Sequence, residues 1–268
     1  MSASTALPEA LQRARHARRI SQLELSIQLG VSQRHISFVE RGRARPSRAL
    51  LVAWLDALEA PLVVRNEVLL TAGFAPEFSA VPLSDPVLVP VKRAIARLLD
   101  AHDPMPAFVL DADWTMVSAN RGAAWLAATV APDALPQGGS APPNMLDLLA
   151  HPDGLCRGMV NLREVAPSLV AQLRHEVAVR PGLRARAEAV QAEVERRLGG
   201  SRVDDGAAAP SPLPMLTVRY ATPYGEVAFF SLFTTFGTPR DITLASLRVE
   251  HLFPADDATR AILAAQVS

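Results

Sequence analysis

Between residues 7 and 73, apolar positions recur at three- and four-residue intervals broken by short polar corners, a pattern that predicts five short helices. Pro8 sits where a first helical turn tolerates proline, and Leu11 and Ala14 begin an apolar stripe. Ser21-Gln22-Leu23-Glu24 reads as a capping box: the serine oxygen takes a free backbone N–H and the glutamate reaches back. The helix it opens stops at Gly30, which can supply a left-handed cap. Ser32 caps the next helix, which runs through Ile36 and Val39 to Gly42. Pro46-Ser47 starts a fourth, carrying Leu50, Leu51, Trp54, Leu55 and Leu58, and a fifth covers about Leu62 to Thr71 before Gly73.

The pattern then changes. Pro76 to Pro90 holds four prolines, and residues 76–85 read as a linker. A helix is expected at about 87–101, then a hairpin of Phe108-Val109-Leu110 and Trp114 to Ala119 around a turn at Asp111-Ala112-Asp113. Helices follow at about 120–129, 144–150, 157–179 and 183–198, and strands at about 215–221, 226–236 and 242–253, with a last helix after Pro254. The stretches 131–143 and 199–214, rich in Pro, Gly, Ser and Ala, read as loops. Strands at both ends of a helical insert predict an α+β domain with an antiparallel sheet over residues 86–267, behind an all-α domain over 7–75.

Composition narrows the classes of function. The 268 residues are 49% hydrophobic and 20% charged, which excludes wholesale disorder. No run of 18 apolar residues and no leader-like start occurs, so no membrane span is expected. One cysteine, Cys156, makes no internal disulfide and fits a reducing cytoplasm. Net charge is zero, yet nine arginines between Leu11 and Arg48 face only Glu24 and Glu40, a local balance of +7. A basic head on an acidic body is the electrostatic outline of a nucleic-acid-binding protein. No nucleophile elbow, zinc-protease helix, Walker loop or dinucleotide fingerprint is present, and His151 and Cys156 lack a second ligand pair. Neither an enzyme, nor a metal site, nor a cofactor is expected.

Two helices joined by Gly30-Val31 have helix-turn-helix spacing, with Leu25, Ser26, Leu29, Val31, Ile36 and Val39 as the core of the corner. Its second helix would enter the major groove of double-stranded operator DNA. There Gln33 suits adenine, Arg34 guanine and Phe38 a thymine methyl, though Phe38 suits a dimer contact equally well. Ser32 and Ser37 lie on the same helix, while Gln22, Arg41, Arg43 and Arg45 are placed to meet phosphate. One such helix reads few base pairs, so a homodimer is expected. Leu23 and Ile27, four apart and off the core face, form an apolar patch. It is either two scattered side chains or a contact with the second domain or a second subunit.

These residues also carry a resemblance. Ser21-Gln22-x-x-Leu25-Ser26-x-x-Leu29-Gly30-Val31-Ser32, then Glu40-x-Gly42-Arg43 and Pro46-Ser47, resembles the Xre/Cro-type helix-turn-helix family. Residues 86–267 resemble the ligand-binding domain of MmyB-like transcription regulators. The likeness rests on Pro106-Ala107-Phe108-Val109-Leu110-Asp111, Trp114 to Asn120, His151-Pro152-Asp153-Gly154, Phe230 to Pro239 and Phe253-Pro254-Ala255-Asp256. Where that family often has Asn-Trp-Glu, this chain reads Asn161-Leu162-Arg163-Glu164. The resemblance implies a PAS-like fold and a small apolar ligand such as a fatty acid.

In a domain of that type Trp114, Met116 and Trp125 become pocket candidates, with Phe108 and Leu110 of the first strand. Alternation puts Phe229 and Phe233 on one face of a strand, where they pack a core, line a pocket or meet a second subunit. Leu247, Val249, His251 and Phe253 alternate with Ser246, Arg248 and Glu250, which places His251 in the inward row, as a core histidine or as partner to a ligand carboxylate. Two rivals to a sensor remain at this stage: a dimerisation platform with a filled core, and an enzyme with a DNA-binding appendage. An apolar cavity of ~300 Å³ or more separates the first from a sensor. A nucleophile–base pair inside it would favour the second.

Overall fold

The computed structural model describes residues 3–136, 142–203 and 215–267. The chain forms two compact units, one of Met1–Pro82 with Thr238–Ala245, the other of Leu83–Gly237 with Ser246–Ser268. The first holds helices α1 (Ala3–Ala17), α2 (Gln22–Leu29), α3 (Gln33–Glu40), α4 (Arg48–Ala57) and α5 (Leu62–Thr71). Since α1 begins at Ala3, Pro8 lies inside the helix and not in its first turn. Ser21 and Glu24 form the full capping box, and Gly30, at φ +64, closes α2. That left-handed corner is one glycine adopts without steric cost, and it lets Val31 N–H reach the Ser26 carbonyl at 3.0 Å. Leu11, Leu25, Ile36, Leu51, Trp54 and Leu69 are fully buried at the centre of this unit, each such aliphatic side chain contributing about 1.5–3 kcal/mol.

One buried carboxylate ties three of these helices together. Glu40, at the end of α3, accepts from Arg15 Nε at 2.7 Å, Arg15 Nη2 at 2.9 Å and Gln22 Nε2 at 2.8 Å. Its backbone carbonyl accepts from Gln12. The planar guanidinium matches both carboxylate oxygens, so the pair is satisfied by geometry as well as charge.

Residues 76–85, expected as a linker, are held in place. Asn66 Oδ1 accepts from the N–H groups of Glu77 and Phe78, and its Nδ2 donates to the Phe78 carbonyl. Further on, Asp241 accepts from Ser79 Oγ at 2.8 Å and from Val81 N–H at 3.1 Å, while Ile242 N–H donates to the Ser79 carbonyl. Burial alone would raise the Asp241 pKa, but these bonds and those from Leu244 and Thr243 outweigh it and hold it below the usual value. The same carboxylate accounts for a departure from expectation. Residues read as the start of the last strand instead form helix α12 (Ile242–Ser246), because Asp241 receives the Leu244 N–H and nucleates a helical turn.

The second unit is α+β and PAS-like. Its helices are α6 (Val89–His102), α7 (Arg121–Val130), α8 (Met145–Ala150), α9 (Leu155–Gly158), α10 (Leu162–Val179), α11 (Arg184–Arg197) and α13 (Asp257–Gln266). The strands are β1 (Ala107–Leu110), β2 (Met116–Ala119), β3 (Val218–Thr222), β4 (Gly225–Thr235) and β5 (Arg248–Pro254). They make one antiparallel sheet in the order β2-β1-β5-β4-β3. Asn120 links the sheet to α7: its Oδ1 accepts from Ala107 N–H and Ala123 N–H, and its Nδ2 donates to the Met105 carbonyl.

The helix expected over 157–179 is broken between α9 and α10, because Val160 N–H donates to the Arg219 carbonyl and Asn161 bonds to Thr217 and Arg219 on β3 and just before it. Tertiary hydrogen bonds override local helical preference there. In the His151-to-Gly154 corner a β-carbon on Gly154 would stand 2.0 Å from the Leu148 carbonyl, so glycine alone fits. Of the two stretches read as loops, residues 137–141 and 204–214 lie outside the described residues. No helix among the described residues is long and apolar enough to cross a membrane.

Removing the Glu40 carboxylate strands the Arg15 guanidinium in a buried site. Glu40→Ala is expected to lose about 3–5 kcal/mol of stability, read as a lower denaturation midpoint by circular dichroism. An unchanged midpoint would show that water already solvates the pair.

Candidate functional site

The first candidate surface is α3 and the turn after it. Ile36, Val39 and Glu40 face inward, which leaves Gln33, Arg34, Ser37, Phe38 and Arg41 as the outer stripe, with Arg43 and Arg45 following. Ser32, Gln33, Arg34, Arg41, Arg43 and Arg45 are exposed, while Ser37 and Phe38 are half-buried. The Arg34 guanidinium carbon lies 5.1 Å from the Phe38 ring centroid, a cation–π contact that orients the arginine along the stripe. Elsewhere in the unit Arg13, Arg15, Arg18 and Arg65 pair with carboxylates. No ion pair among the described residues involves Arg34, Arg41, Arg43 or Arg45, so their charge is uncompensated.

Two residues expected at DNA have work inside the unit. Gln22 donates to Glu40, and Ser32 Oγ accepts from His35 N–H as the cap of α3. Leu23 and Ile27 are exposed, at 53% and 72%.

The second candidate is a cavity of about 470 Å³ in the α+β unit. Its apolar wall includes Phe108, Trp114, Met116, Leu126, Met145, Leu149, Met159 and Phe229. Of the eight pocket candidates, Phe108, Trp114, Met116, Phe229 and Phe233 border the cavity. Leu110 does not border it and is fully buried in the packed core. Trp125 lies outside the lining, its ring centroid 6.1 Å from that of Tyr224.

His251 is a correction. In an antiparallel ladder, directly opposed residues share a face. Phe108 opposes Glu250, Leu110 opposes Arg248, and Phe233 opposes Glu250, so the cavity row of β5 is Arg248, Glu250 and Leu252. His251 is in the other row, edge-on to His102 of α6 at 4.9 Å and hydrogen-bonded to Thr234 Oγ1. Burial, with the neighbouring His102, lowers its pKa. It is a core histidine beneath α6.

The residues missed by sequence reasoning are those of the opposite parity. Arg248 packs its guanidinium carbon 4.1 Å from the Trp114 ring centroid and 6.0 Å from that of Phe233, and donates to Glu176 Oε1 at 2.7 Å. Glu250 accepts from Ser231 Oγ at 2.8 Å. Burial raises the Glu250 pKa, against the opposing effects of Ser231 and Arg248. Tyr220, also at the cavity, has its pKa raised by burial. Trp114 carries the chain through φ +65, a conformation costly for a bulky residue. The expected strand therefore begins at Met116, two residues later. Asn144 Nδ2 donates to the Asp113 carbonyl and Met145 N–H to that of Trp114, fixing this corner. No group of three or more potential metal ligands occurs among the described residues.

Comparison with known proteins locates two family matches. Residues 91–265 match the family described as "MmyB-like transcription regulator ligand binding domain", and residues 6–68 match a helix-turn-helix domain family. The chain is 34% identical over 92 residues to the "Uncharacterized HTH-type transcriptional regulator y4dL" of Sinorhizobium fredii (strain NBRC 101917 / NGR234). That match takes in 34% of this chain and 47% of the relative, so the chain spans about half the length of the curated protein it matches. A solved structure titled "Structure of an RNA-binding Light-Oxygen-Voltage Receptor" aligns over 97% of this chain and 61% of its own, at 14% identity and a TM-score of 0.27.

Cys156, beside the cavity-lining Leu155, has its thiol pushed up to about 11 by burial, with Arg197 opposing and Glu193 adding to the rise. The folded chain therefore holds a proton that the unfolded chain releases near pH 9, and this contribution to stability is lost as pH rises toward about 11. A thiol reagent at pH 8 is expected to leave native Cys156 unmodified and to label it fully in denaturant. Rapid labelling of the native protein would contradict the burial described.

Proposed function

This chain belongs to the MmyB-like transcription regulators, and from that premise we propose that it works as a homodimer on a two-fold operator, with a PAS-like domain that senses a small apolar ligand of the fatty-acid class. The DNA-binding part rests on one observation: Arg34, Arg41, Arg43 and Arg45 cluster, exposed and without an ion pair among the described residues, on the outer stripe of α3 and the turn after it. Unpaired cations along a groove-sized helix release counterions from a duplex, the main source of affinity for DNA. In this reading Arg34, Gln33 and Phe38 read base edges, Ser32 and Ser37 support them, and Arg41, Arg43 and Arg45 hold phosphates. Gln22 serves chiefly to fix α2 against Glu40, its remaining N–H being free to meet a phosphate. Two-fold symmetry supplies the second half-site that one helix cannot read.

The sensing part rests on the cavity. At about 470 Å³ it lies within the ~300–1,000 Å³ range of small-molecule sites, which favours a sensor over a filled dimerisation core. Its lining of aromatic, methionine and leucine side chains suits an apolar chain. A ligand alters operator affinity only by binding DNA-competent and incompetent arrangements unequally.

Gel-shift titration tests the first part. Arg34→Ala is expected to cost ~1–3 kcal/mol on operator DNA and to relax preference at one base pair. Arg43→Ala should weaken operator and scrambled duplexes alike and flatten the salt dependence. Wild-type behaviour from both variants would remove α3 from the duplex. Native mass spectrometry before and after organic extraction tests the second part: a dimer mass and a small extractable adduct are expected. Ala127→Trp, which places bulk at the cavity wall, should abolish the adduct and leave DNA binding intact. An adduct that persists in this variant would place the ligand elsewhere.

A further inference from the structure

Antiparallel neighbours need only a two-residue turn between them, yet β4, ending at Thr235, and β5, starting at Arg248, are joined through the whole of residues 236–247. The middle of that connection, Thr238–Ala245, leaves the sheet and belongs to the helical unit. Connections of such length are uncommon in compact domains unless they serve a function. Asp241 lies buried at the centre of this one. Its Oδ2 accepts from Ser79 Oγ at 2.8 Å and Val81 N–H at 3.1 Å, its Oδ1 accepts from Leu244 N–H, and the Ser79 carbonyl receives Ile242 N–H. The strip so held continues to α5, where Asn66 bonds to Glu77 and Phe78. The two strands that feed the excursion carry cavity residues next to their ends. Phe233 precedes the end of β4 by two residues, and Arg248, the first residue of β5, lies over Trp114 and opposes Thr235 in the last rung of the ladder.

We propose that the Asp241–Ser79 contact is the latch through which occupancy of the cavity reaches the DNA-binding unit, the β4–β5 excursion being the coupling element of the regulator. The inference rests on the sensing function proposed above and adds its means of transmission. A ligand against Phe233 or Arg248 acts on the rung from which the excursion leaves, and the chain itself carries a shift there to Asp241, six residues beyond Thr235 and seven before Arg248. The latch transmits because it is not slack: parting Asp241 from Ser79 and Val81 removes two donors from a buried carboxylate, which is costly, so the contact is either made or broken. On the far side Asn66 passes the shift to α5, which packs against α1, and α1 holds Glu40 of α3 through Arg15.

Hydrogen exchange on full-length, delipidated protein, with and without dodecanoic acid as probe, decides the matter. The reporters are the Glu77 and Phe78 amides, bonded to Asn66 and not to Asp241. In wild type the probe is expected to change exchange along β4 and β5 and, with it, at both reporters by about fivefold or more, the lower range of allosteric coupling. In Asp241→Ala the strands should still respond while the reporters exchange alike with and without probe. A clasp with a purely structural role would raise reporter exchange equally in the two states and leave their ratio as in wild type. Should Asp241→Ala fail to fold, Ser79→Ala, which removes one bond and leaves the α12 cap, is expected to shrink the reporter response. Reporters silent in wild type, or responding undiminished in the variants, overturn the latch and leave the sensing function standing. Strands that do not respond to the probe in wild type overturn both.

Discussion

A strand covered on both faces has little solvent side on which to leave charge, and β5 is such a strand, with one row buried and the other half-buried. One row, Val249 and His251, is buried, with His251 against His102 of α6, and the other, Arg248, Glu250 and Leu252, borders the cavity. Charge placed on either row must find partners inside the protein or be neutralised. The cavity row does both: Arg248 pairs with Glu176, and Glu250 takes the Ser231 hydroxyl while burial shifts it toward protonation. The chemical character of the chamber follows from that constraint more than from its aromatic lining, which many cores share.

The same logic runs in the opposite direction in the helical unit. There the buried charge, Glu40, is fully bonded by Arg15 and Gln22 and holds the helix-turn-helix corner rigid. The neighbouring arginines of α3 and its turn make no ion pair with a carboxylate among the described residues and remain available to an anionic partner. A rigid corner and a free cationic edge are complementary requirements: phosphates reward fixed guanidinium groups, since less freedom is lost on contact.

Most of the helical unit was legible in the sequence, because its signals are local. The capping box at Ser21, the glycine corner at Gly30 and the Ser32 and Ser47 caps act within four residues, and each lies where a short-range reading puts it. The antiparallel sheet and the order of helices were legible for similar reasons. What escaped was set by distant partners. Bonds to β3 and the residue before it split the helix expected over 157–179. Asp241 turned the first residues of an expected strand into α12. Alternation along β5 correctly separated two rows, but an Arg-x-Glu row looks solvated until the layer covering it is known. His251 was thereby favoured over Arg248 as a cavity-facing residue. Trp114 escaped too, since nothing in a Trp-Thr-Met sequence announces a left-handed backbone.

The segment Thr238–Ala245 carries a consequence for modularity. It belongs to the helical unit, through Asp241 and Ser79, although the strands on either side of it belong to the sheet. The chain therefore crosses between its two units three times, near residues 82, 237 and 245. Residues 1–82 are not a transplantable cassette: grafted onto a different sensor, they would leave Ser79 and Val81 without their acceptor. Exchange of helical heads would have to carry the β4–β5 excursion along with the amino-terminal helices to keep those hydrogen bonds.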